Sequence, residues 1–274
     1  MSKYHERKGS TVAIPSRVMN KVALSMIPMK RVDSKGFLGY EGSVKLAEGE
    51  ITIRANSIIT PQDTQMFYFV LSQWQAMRKT TTTTEQSDVL YVDIPKVLNA
   101  LGIANRTENR QKVISHLERM MGVTITFKFM AGSLAFNALE FVKIENANTV
   151  SIRVSRTFEE AVLQARQRFI NVDKGMKLRS GYAIELRYLL QIDGAGVDRS
   201  GLPIHVNSIS HQRVCAYLLL EDGTRETLEE VRRAFRNLEK IGVPKYKNIT
   251  LSGHTIWQQD GRNLSKKSLK ILGT

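Results

Sequence analysis

Four basic residues recur at helical spacing near the C-terminal end of this chain: Arg225, Arg232, Arg236 and Lys240. At 100° per residue they fall together on one flank of a helix over residues 224–241, with Thr224 ahead of them and Arg233 at the edge. A guanidinium is a planar fork of donors that fits a guanine edge two-pronged, and both Arg and Lys neutralise phosphate. The adjoining face carries Leu228, Val231, Phe235 and Leu238 at three- and four-residue steps, so the same rod can pack on a core. The chemistry on offer is recognition of a polyanion rather than the making or breaking of a bond.

Groups for bond-making chemistry are sparse. No G-x-x-x-x-G-K-[ST] loop is present to cradle a nucleoside triphosphate, and no H-E-x-x-H. The five histidines, His5, His116, His205, His211 and His254, are scattered. His116-Leu117-Glu118-Arg119 matches the short H-x-x-R of tyrosine recombinases, but two fixed positions specify little and helix packing accounts for them. Asp193, Asp198, Glu221 and Asp222 sit where carboxylates commonly cap and turn the chain. The single cysteine, Cys215, lies in an apolar run from Val214 to Leu218 and reads as an inert core residue. We therefore expect no catalytic residues, no metal and no cofactor.

Charge supports the polyanion. The 274 residues hold 40 Lys or Arg against 26 Asp or Glu, a formal net charge of +14. Eleven of those cations, against five acids, lie within residues 224–274. Such a surplus suits nucleic acid or an acidic membrane. No apolar run approaches a membrane span, and residues 1–10 lack a signal-peptide core, so we expect a cytoplasmic protein with no membrane partner.

The elements that would position the basic rod follow from turn and cap signals. Residues 203–206 read as a strand, Ser208 caps a helix over 209–220, and Asp222-Gly223 turns the chain. Thr227 and Glu230 have capping-box spacing at the start of the basic helix, which Gly242 and Pro244 stop. Strands over 249–251 and 255–258 then form a hairpin about Ser252-Gly253-His254. Strand, helix, turn, helix and hairpin is the order of a winged helix-turn-helix.

A fainter copy lies upstream. Residues 36–56 read as a hairpin, and Thr60-Pro61-Gln62-Asp63 starts a helix reaching about residue 78. A strand over 89–92, a helix capped by Asp93, and a third helix opened by Asn105-Arg106-Thr107 and running to Met121 follow. That helix ends at Gly122, where positive φ would suit, and strands over 123–129 and 134–143 have the form of a wing. Residues 150–154 add a strand, 158–169 a helix, and 182–191 another helix. Residues 89–122 thus correspond to residues 203–242. We expect an α+β fold of two tandem winged-helix domains: a flexible tail over 1–30, a first domain over 31–155, a second over 156–261, and a basic tail over 262–274. The tail and the loop at Thr80–Thr84 receive no role.

We expect the second domain to be the main reader of double-stranded DNA. Its candidate contacts are Thr224, Arg225, Arg232, Arg233, Arg236 and Lys240, with Lys245, Tyr246, Lys247 and His254 flanking the wing. The competing structural reading pairs Arg232 and Arg236 with Glu229 or Glu239 as ordinary surface salt bridges. The first domain offers Arg106, Arg110, Lys112 and Lys128 against Glu108 and Glu118. It either binds DNA more weakly or presents a sheet face for dimerisation. A transcriptional regulator built from the same modules is the alternative function, and a recombinase or primase a more distant one.

The layout resembles the iteron-binding plasmid replication initiators with two winged-helix domains, most nearly the IncQ-type initiator group. The resembling segments are Ile59-Thr60-Pro61-Gln62-Asp63-Thr64-Gln65, Val113-Ile114-Ser115-His116-Leu117-Glu118-Arg119-Met120, and Arg232-Arg233-Ala234-Phe235-Arg236-Asn237-Leu238-Glu239-Lys240-Ile241-Gly242. The likeness covers about residues 37–257. It implies binding to direct repeats at an origin, help in opening an AT-rich segment, recruitment of host replication proteins, and a switch between a homodimer and a monomer.

Overall fold

A computed structural model describes residues 11–15, 22–34, 37–80, 89–129, 132–158, 167–172, 175–194, 204–251 and 253–262. The chain opens with strand β1 (Thr11–Pro15), then a 3-10 turn at Leu24–Met26. Strands β2 (Lys30–Ser34), β3 (Phe37–Leu46) and β4 (Gly49–Ala55) follow, then helix α1 (Pro61–Thr80). The first helix-turn-helix comprises β5 (Leu90–Asp93), α2 (Ile94–Leu101) and α3 (Thr107–Met121). Four strands come next: β6 (Thr124–Phe129), β7 (Gly132–Asn137), β8 (Leu139–Asn146) and β9 (Thr149–Val154). Strand β10 (Gln167–Asn171) and helix α4 (Gly181–Gly194) lead into β11 (Ser208–Ser210), α5 (His211–Leu218), α6 (Arg225–Glu239), β12 (Tyr246–Leu251) and β13 (His254–Gln259).

The duplication is visible in strand order. Each helix-turn-helix carries a three-stranded antiparallel sheet in which the strand before the helices pairs with the last strand of the hairpin: β5-β9-β8 in the first unit and β11-β13-β12 in the second. The first wing is therefore β8–β9, not the hairpin directly after α3. That hairpin, β6–β7, joins β2, β3 and β4 in a separate five-stranded sheet. Alternation explains the assignment: Ile125 and Phe127 on β6 face inward beside Ile51 and Ile53 on β4, while Thr124, Thr126 and Lys128 face out. The segment over 134–143, expected as one strand, breaks at Ala138 between β7 and β8.

Other local expectations shift by a few residues. The second unit's first strand is Ser208–Ser210 rather than 203–206, and Ser210, not Ser208, caps its helix by accepting from Arg213 N. Thr224 caps α6, accepting from Thr227 N at 3.1 Å; Thr227 is itself buried, so the box over Thr227 and Glu230 does not start the helix. Residues 167–169 belong to a strand, while 159–166, also expected to be helical, lie outside the described residues. Gly122 keeps φ at −81°, and its small size serves close approach instead: a Cβ there would meet Asn56 Nδ2 at 2.6 Å. The Thr81–Thr84 run, the wing-tip Ser252 and residues 263–274 lie outside the described residues.

The N-terminal segment is not a tail throughout. β1 pairs antiparallel with β10, and Val22, Ala23, Leu24 and Ile27 are core residues. Their apolar spacing is too short to read as an element, but burying four such side chains stabilises their placement by several kcal/mol, roughly 1.5–3 each for the larger ones.

Helix α4 is the hub. Every residue from Ala183 to Ile192 is buried, as befits a helix enclosed on all sides. Tyr188 meets Tyr68 of α1 edge-on at 4.8 Å, and α4 also packs against α5 and α6. Gln191 Oε1 accepts from Asn171 N at 2.6 Å, and Arg187 Nη2 donates to Asn171 Oδ1 at 3.2 Å, which ties β10 to the helix. Gly175 is needed here, since a Cβ would lie 1.9 Å from Arg187 Nη1. Glu185 lies on the same helix and accepts from Ser25 Oγ at 2.5 Å.

Burial pushes the Glu185 carboxyl up to about 7, with hydrogen bonds from Ser25 and Thr64 opposing the rise. The neighbouring groups on α1, α4 and α5 are Tyr68, Tyr188 and Tyr217, each held in the phenol form well above the ordinary range, chiefly by burial. The folded chain holds the Glu185 proton more tightly than the unfolded chain. This residue's contribution is therefore complete below the ordinary glutamate range, is lost as pH rises, and levels off above about 7. Glu185→Gln is expected to be more stable than wild type at pH 8 by on the order of 3 kcal/mol, and to lose that advantage near pH 4.5. Urea unfolding at both pH values measures it; an equal difference at the two would show that Glu185 does not titrate in this window.

The motif His116-x-x-Arg119 proves to be a structural bridge. Asp63, whose side chain is fully buried, receives His116 Nδ1 at 2.6 Å and Arg119 Nε at 2.9 Å from α3. The same carboxylate accepts from Thr60 N and Thr60 Oγ1, both at 2.7 Å, at the start of α1. The two residues that resembled catalytic groups are thus bound up in joining one helix to another.

Candidate nucleic-acid interface

The α6 helix is amphipathic. Thr227, Val231, Ala234, Phe235 and Leu238 are buried; Phe235 stacks on Trp257 of β13 at 4.6 Å and tilts against Tyr246 of β12 at 5.0 Å. Packing on the hairpin orients the opposite side outward. Arg225, Arg233, Arg236 and Lys240 are exposed, and Arg232 is half-buried beside them. The guanidinium side of the rod is open to solvent, with Arg233 and Arg236 side chains 66% and 63% exposed.

These cations are not idle. Arg232 Nη1 bonds Glu229, Arg236 Nη2 lies 3.9 Å from the same carboxylate, and Arg233 Nη1 lies 2.9 Å from Glu230. Glu229 therefore sits inside the basic row, a feature the count of cations alone does not reveal. Surface pairs of this kind, one or two helical turns apart, contribute a few tenths of a kcal/mol, so an incoming phosphate can displace them. Lys240 Nζ reaches Asn237 Oδ1 at 3.4 Å. Thr224, as the cap, turns its hydroxyl to the helix backbone, leaving less of it for a partner.

On the wing, Lys245, Lys247 and His254 are exposed, with Lys247 Nζ 3.0 Å from Asp260. Tyr246 departs from expectation. It is a core residue at 7% exposure, and its hydroxyl donates to the Val206 carbonyl. The strand alternation places it on the inner face with Phe235, so it cannot flank the outside of the wing.

A polar cluster lies under the turn between α5 and α6. His211 Nε2 is 3.5 Å from Cys215 Sγ and 3.8 Å from Asp222 Oδ1. The three donor atoms are close enough to suggest a metal site. The hydrogen bonding argues otherwise: the Trp257 indole N–H donates to His211 Nδ1 at 3.2 Å. Nδ1 is then the acceptor, and the ring's own hydrogen sits on Nε2, where a metal would need a lone pair. Burial holds the His211 ring below its ordinary range, with Asp222 opposing, and pushes the Cys215 thiol up to about 11 with help from Asp222. The Trp257–His211 hydrogen bond ties the wing to the helix-turn-helix.

The first unit is less suited to reading. Arg106 is the exposed residue before α3, and Arg110 Nε is taken up by Asn105 Oδ1 at 2.7 Å. Lys112, two residues on, points roughly 200° away and shares the solvent face with Glu108 and Glu118. Lys128 stands on the five-stranded sheet beside Glu50 at 3.6 Å, apart from the first wing. The four do not form one row.

Comparison with known proteins decides the family. The model of the initiator replication protein WH1 domain matches residues 45–191, more than half of the chain. The chain belongs to the initiator replication protein family. A search of curated proteins found no match. Among solved structures, the Pi initiator protein in complex with iteron DNA is similar, with a TM-score of 0.57 and 11% identity over 94% of this chain and 100% of that one. Domains 2 and 3 of RctB are similar with a TM-score of 0.55 and 13% identity over 89% of this chain and 95% of that one. At such identity both likenesses concern the fold, and they agree that the initiator carries a winged-helix architecture of mixed helices and antiparallel sheets. Among the described residues no helix is long and apolar enough to cross a membrane.

Proposed function

We propose that this initiator starts plasmid replication by binding direct repeats in double-stranded origin DNA, seating α6 in the major groove. The observation that carries this reading is the open basic side of α6 opposite a face locked onto the wing. Arg225, Arg232, Arg233, Arg236 and Lys240 contact bases and phosphates, and Lys245, Lys247 and His254 meet the flanking backbone. The first unit adds backbone contacts through Arg106, Arg110 and Lys112 or joins a second copy. The division of labour follows two modules, one up to about residue 155 and one from about 156 to 261. The bound protein helps the origin open and recruits host replication proteins in the cytoplasm, with no catalytic step of its own. The Pi structure, described as an initiator bound to iteron DNA, supports the choice of repeats as target.

Selection of fragments bound from the encoding replicon, followed by footprinting, tests this. Tandem direct repeats about two helical turns apart are the expected product; a single inverted repeat at a promoter would replace the initiator reading with a transcriptional regulator. Affinity for the selected repeat should also fall steeply between 50 and 200 mM salt, by roughly 10³-fold or more if six or more phosphates are neutralised. A flat salt response would remove the phosphate contacts.

A further inference from the structure

The buried segment before β2 is a strap across the junction of the two units. Its N-terminal end is fixed to the second unit, where Ala23 N donates to the Tyr217 carbonyl of α5 at 2.9 Å. Its middle is fixed to the hub, where Ser25 Oγ donates to Glu185 Oε1 of α4 at 2.5 Å. Its C-terminal end is fixed to the first unit's sheet. There a Cβ on Gly42 would lie 2.5 Å from the Pro28 carbonyl oxygen and 3.0 Å from Ile27 Cγ2. Val22, Ala23, Leu24 and Ile27 are buried along the way.

The segment leading into the hub is clamped from the first unit as well. Gln62 Nε2 donates to the Arg179 carbonyl at 3.0 Å, Gln65 Nε2 to the Gly175 carbonyl at 2.5 Å, and Arg179 Nη2 to the Leu101 carbonyl at the end of α2 at 2.9 Å. Glu185 also accepts from Thr64 of α1. One carboxylate therefore gathers the strap and α1 onto the helix that bears α6. A buried polar contact holds one geometry because any displacement leaves a donor or acceptor unsatisfied.

We propose that the Ser25–Glu185 contact is a positioning device that sets the separation and relative rotation of the two DNA-docking units, and so the spacing of base pairs the initiator accepts within one repeat. Neither residue lies on α6 or on a wing. The inference rests on the reading that both units dock on one duplex. Each inserted base pair shifts one contact region by about 3.4 Å along the duplex and turns it by about 34°. A rigid pair of units cannot follow such a shift, whereas a loosened pair can.

The test uses the full chain and the footprinted repeat, with zero, one, two or three base pairs inserted between its two protected segments. Wild type should lose at least tenfold in affinity on the two-base-pair insertion. Ser25→Ala and Glu185→Ala should bind the parent repeat within about threefold of wild type and lose less than about threefold on the same insertion. Glu185→Gln, which keeps an acceptor for Ser25, should behave as wild type. Should Glu185→Ala fail to fold, Ser25→Ala, which removes a single hydroxyl, carries the comparison. A wild-type spacing penalty fully retained in Ser25→Ala overturns the positioning role while leaving both units on the DNA. A wild type indifferent to insertion overturns two-unit docking and this role with it.

Discussion

Asp63→Asn is expected to lower the unfolding free energy by about 3–5 kcal/mol, the cost of breaking a buried charge pair by removing one partner. The side chain is fully buried and accepts four hydrogen bonds, two from Thr60 and one each from His116 and Arg119. Asparagine keeps the shape but removes the charge and turns an amide toward donors. Arg119 then loses its counter-charge beside a buried site, and the first turn of α1 loses its partner. Since single domains are stable by only about 5–15 kcal/mol, the loss takes a large share of that margin. Urea titration followed by circular dichroism should show a lower midpoint with the same slope. A loss under 0.5 kcal/mol would demote the bridge to a surface pair.

The pH dependence follows with a definite sign. Burial by itself would raise the Asp63 carboxyl, but hydrogen bonds from His116, Arg119 and Thr60 outweigh it and hold the group below the ordinary aspartate value. Its contribution is complete above that ordinary value and lost as pH falls through the lower value of the folded chain. Glu185 acts in the opposite sense, losing its contribution as pH rises. The two buried carboxylates thus pull the stability optimum from opposite sides.

Replacing Arg232 and Arg236 with alanine should cost about 1–3 kcal/mol for each base contact removed, roughly tenfold in affinity or more at each position. Their shared partner sharpens the expectation. Glu229 lies between them and places a carboxylate where phosphate would approach. Glu229→Gln should therefore tighten binding severalfold while the arginine variants weaken it. Anisotropy titration at fixed salt, on the selected repeat and on a scrambled duplex, separates the roles. A loss confined to the repeat marks base reading, and an equal loss on both marks phosphate contact. Wild-type affinity in Arg232→Ala and Arg236→Ala would take these residues out of the interface.

The second unit was readable because its signals are local. Val231, Phe235 and Leu238 repeat at helical spacing, Gly223 and Gly242 adopt φ of +88° and +81° where turns are needed, and the flank of cations is contiguous along one helix. The first wing was misplaced because strand pairing is non-local. Nothing in the run Val123 to Phe129 says that it will pair with β4, 70 to 80 residues earlier, rather than close a wing of its own. The bridge at Asp63 escaped for the same reason, since its partners lie 53 and 56 residues away. Tyr246 differs from its neighbours by one step of alternation: Lys245 and Lys247 face out, and the pleat turns the tyrosine inward between them.

An enclosed helix at the centre of a duplicated architecture has an evolutionary corollary. Because α4 contributes side chains to the interiors of both halves at once, exchange of either half with that of a relative by a crossover near residue 155 alone is expected to leave a mismatched interior. A viable chimera must inherit the helix together with the strap that lies against it. On the proposed reading of α6 as the DNA-contacting helix, specificity in such a lineage is expected to change through substitutions on its outward side, where Arg225 and Arg236 are exposed, rather than through the shuffling of whole halves.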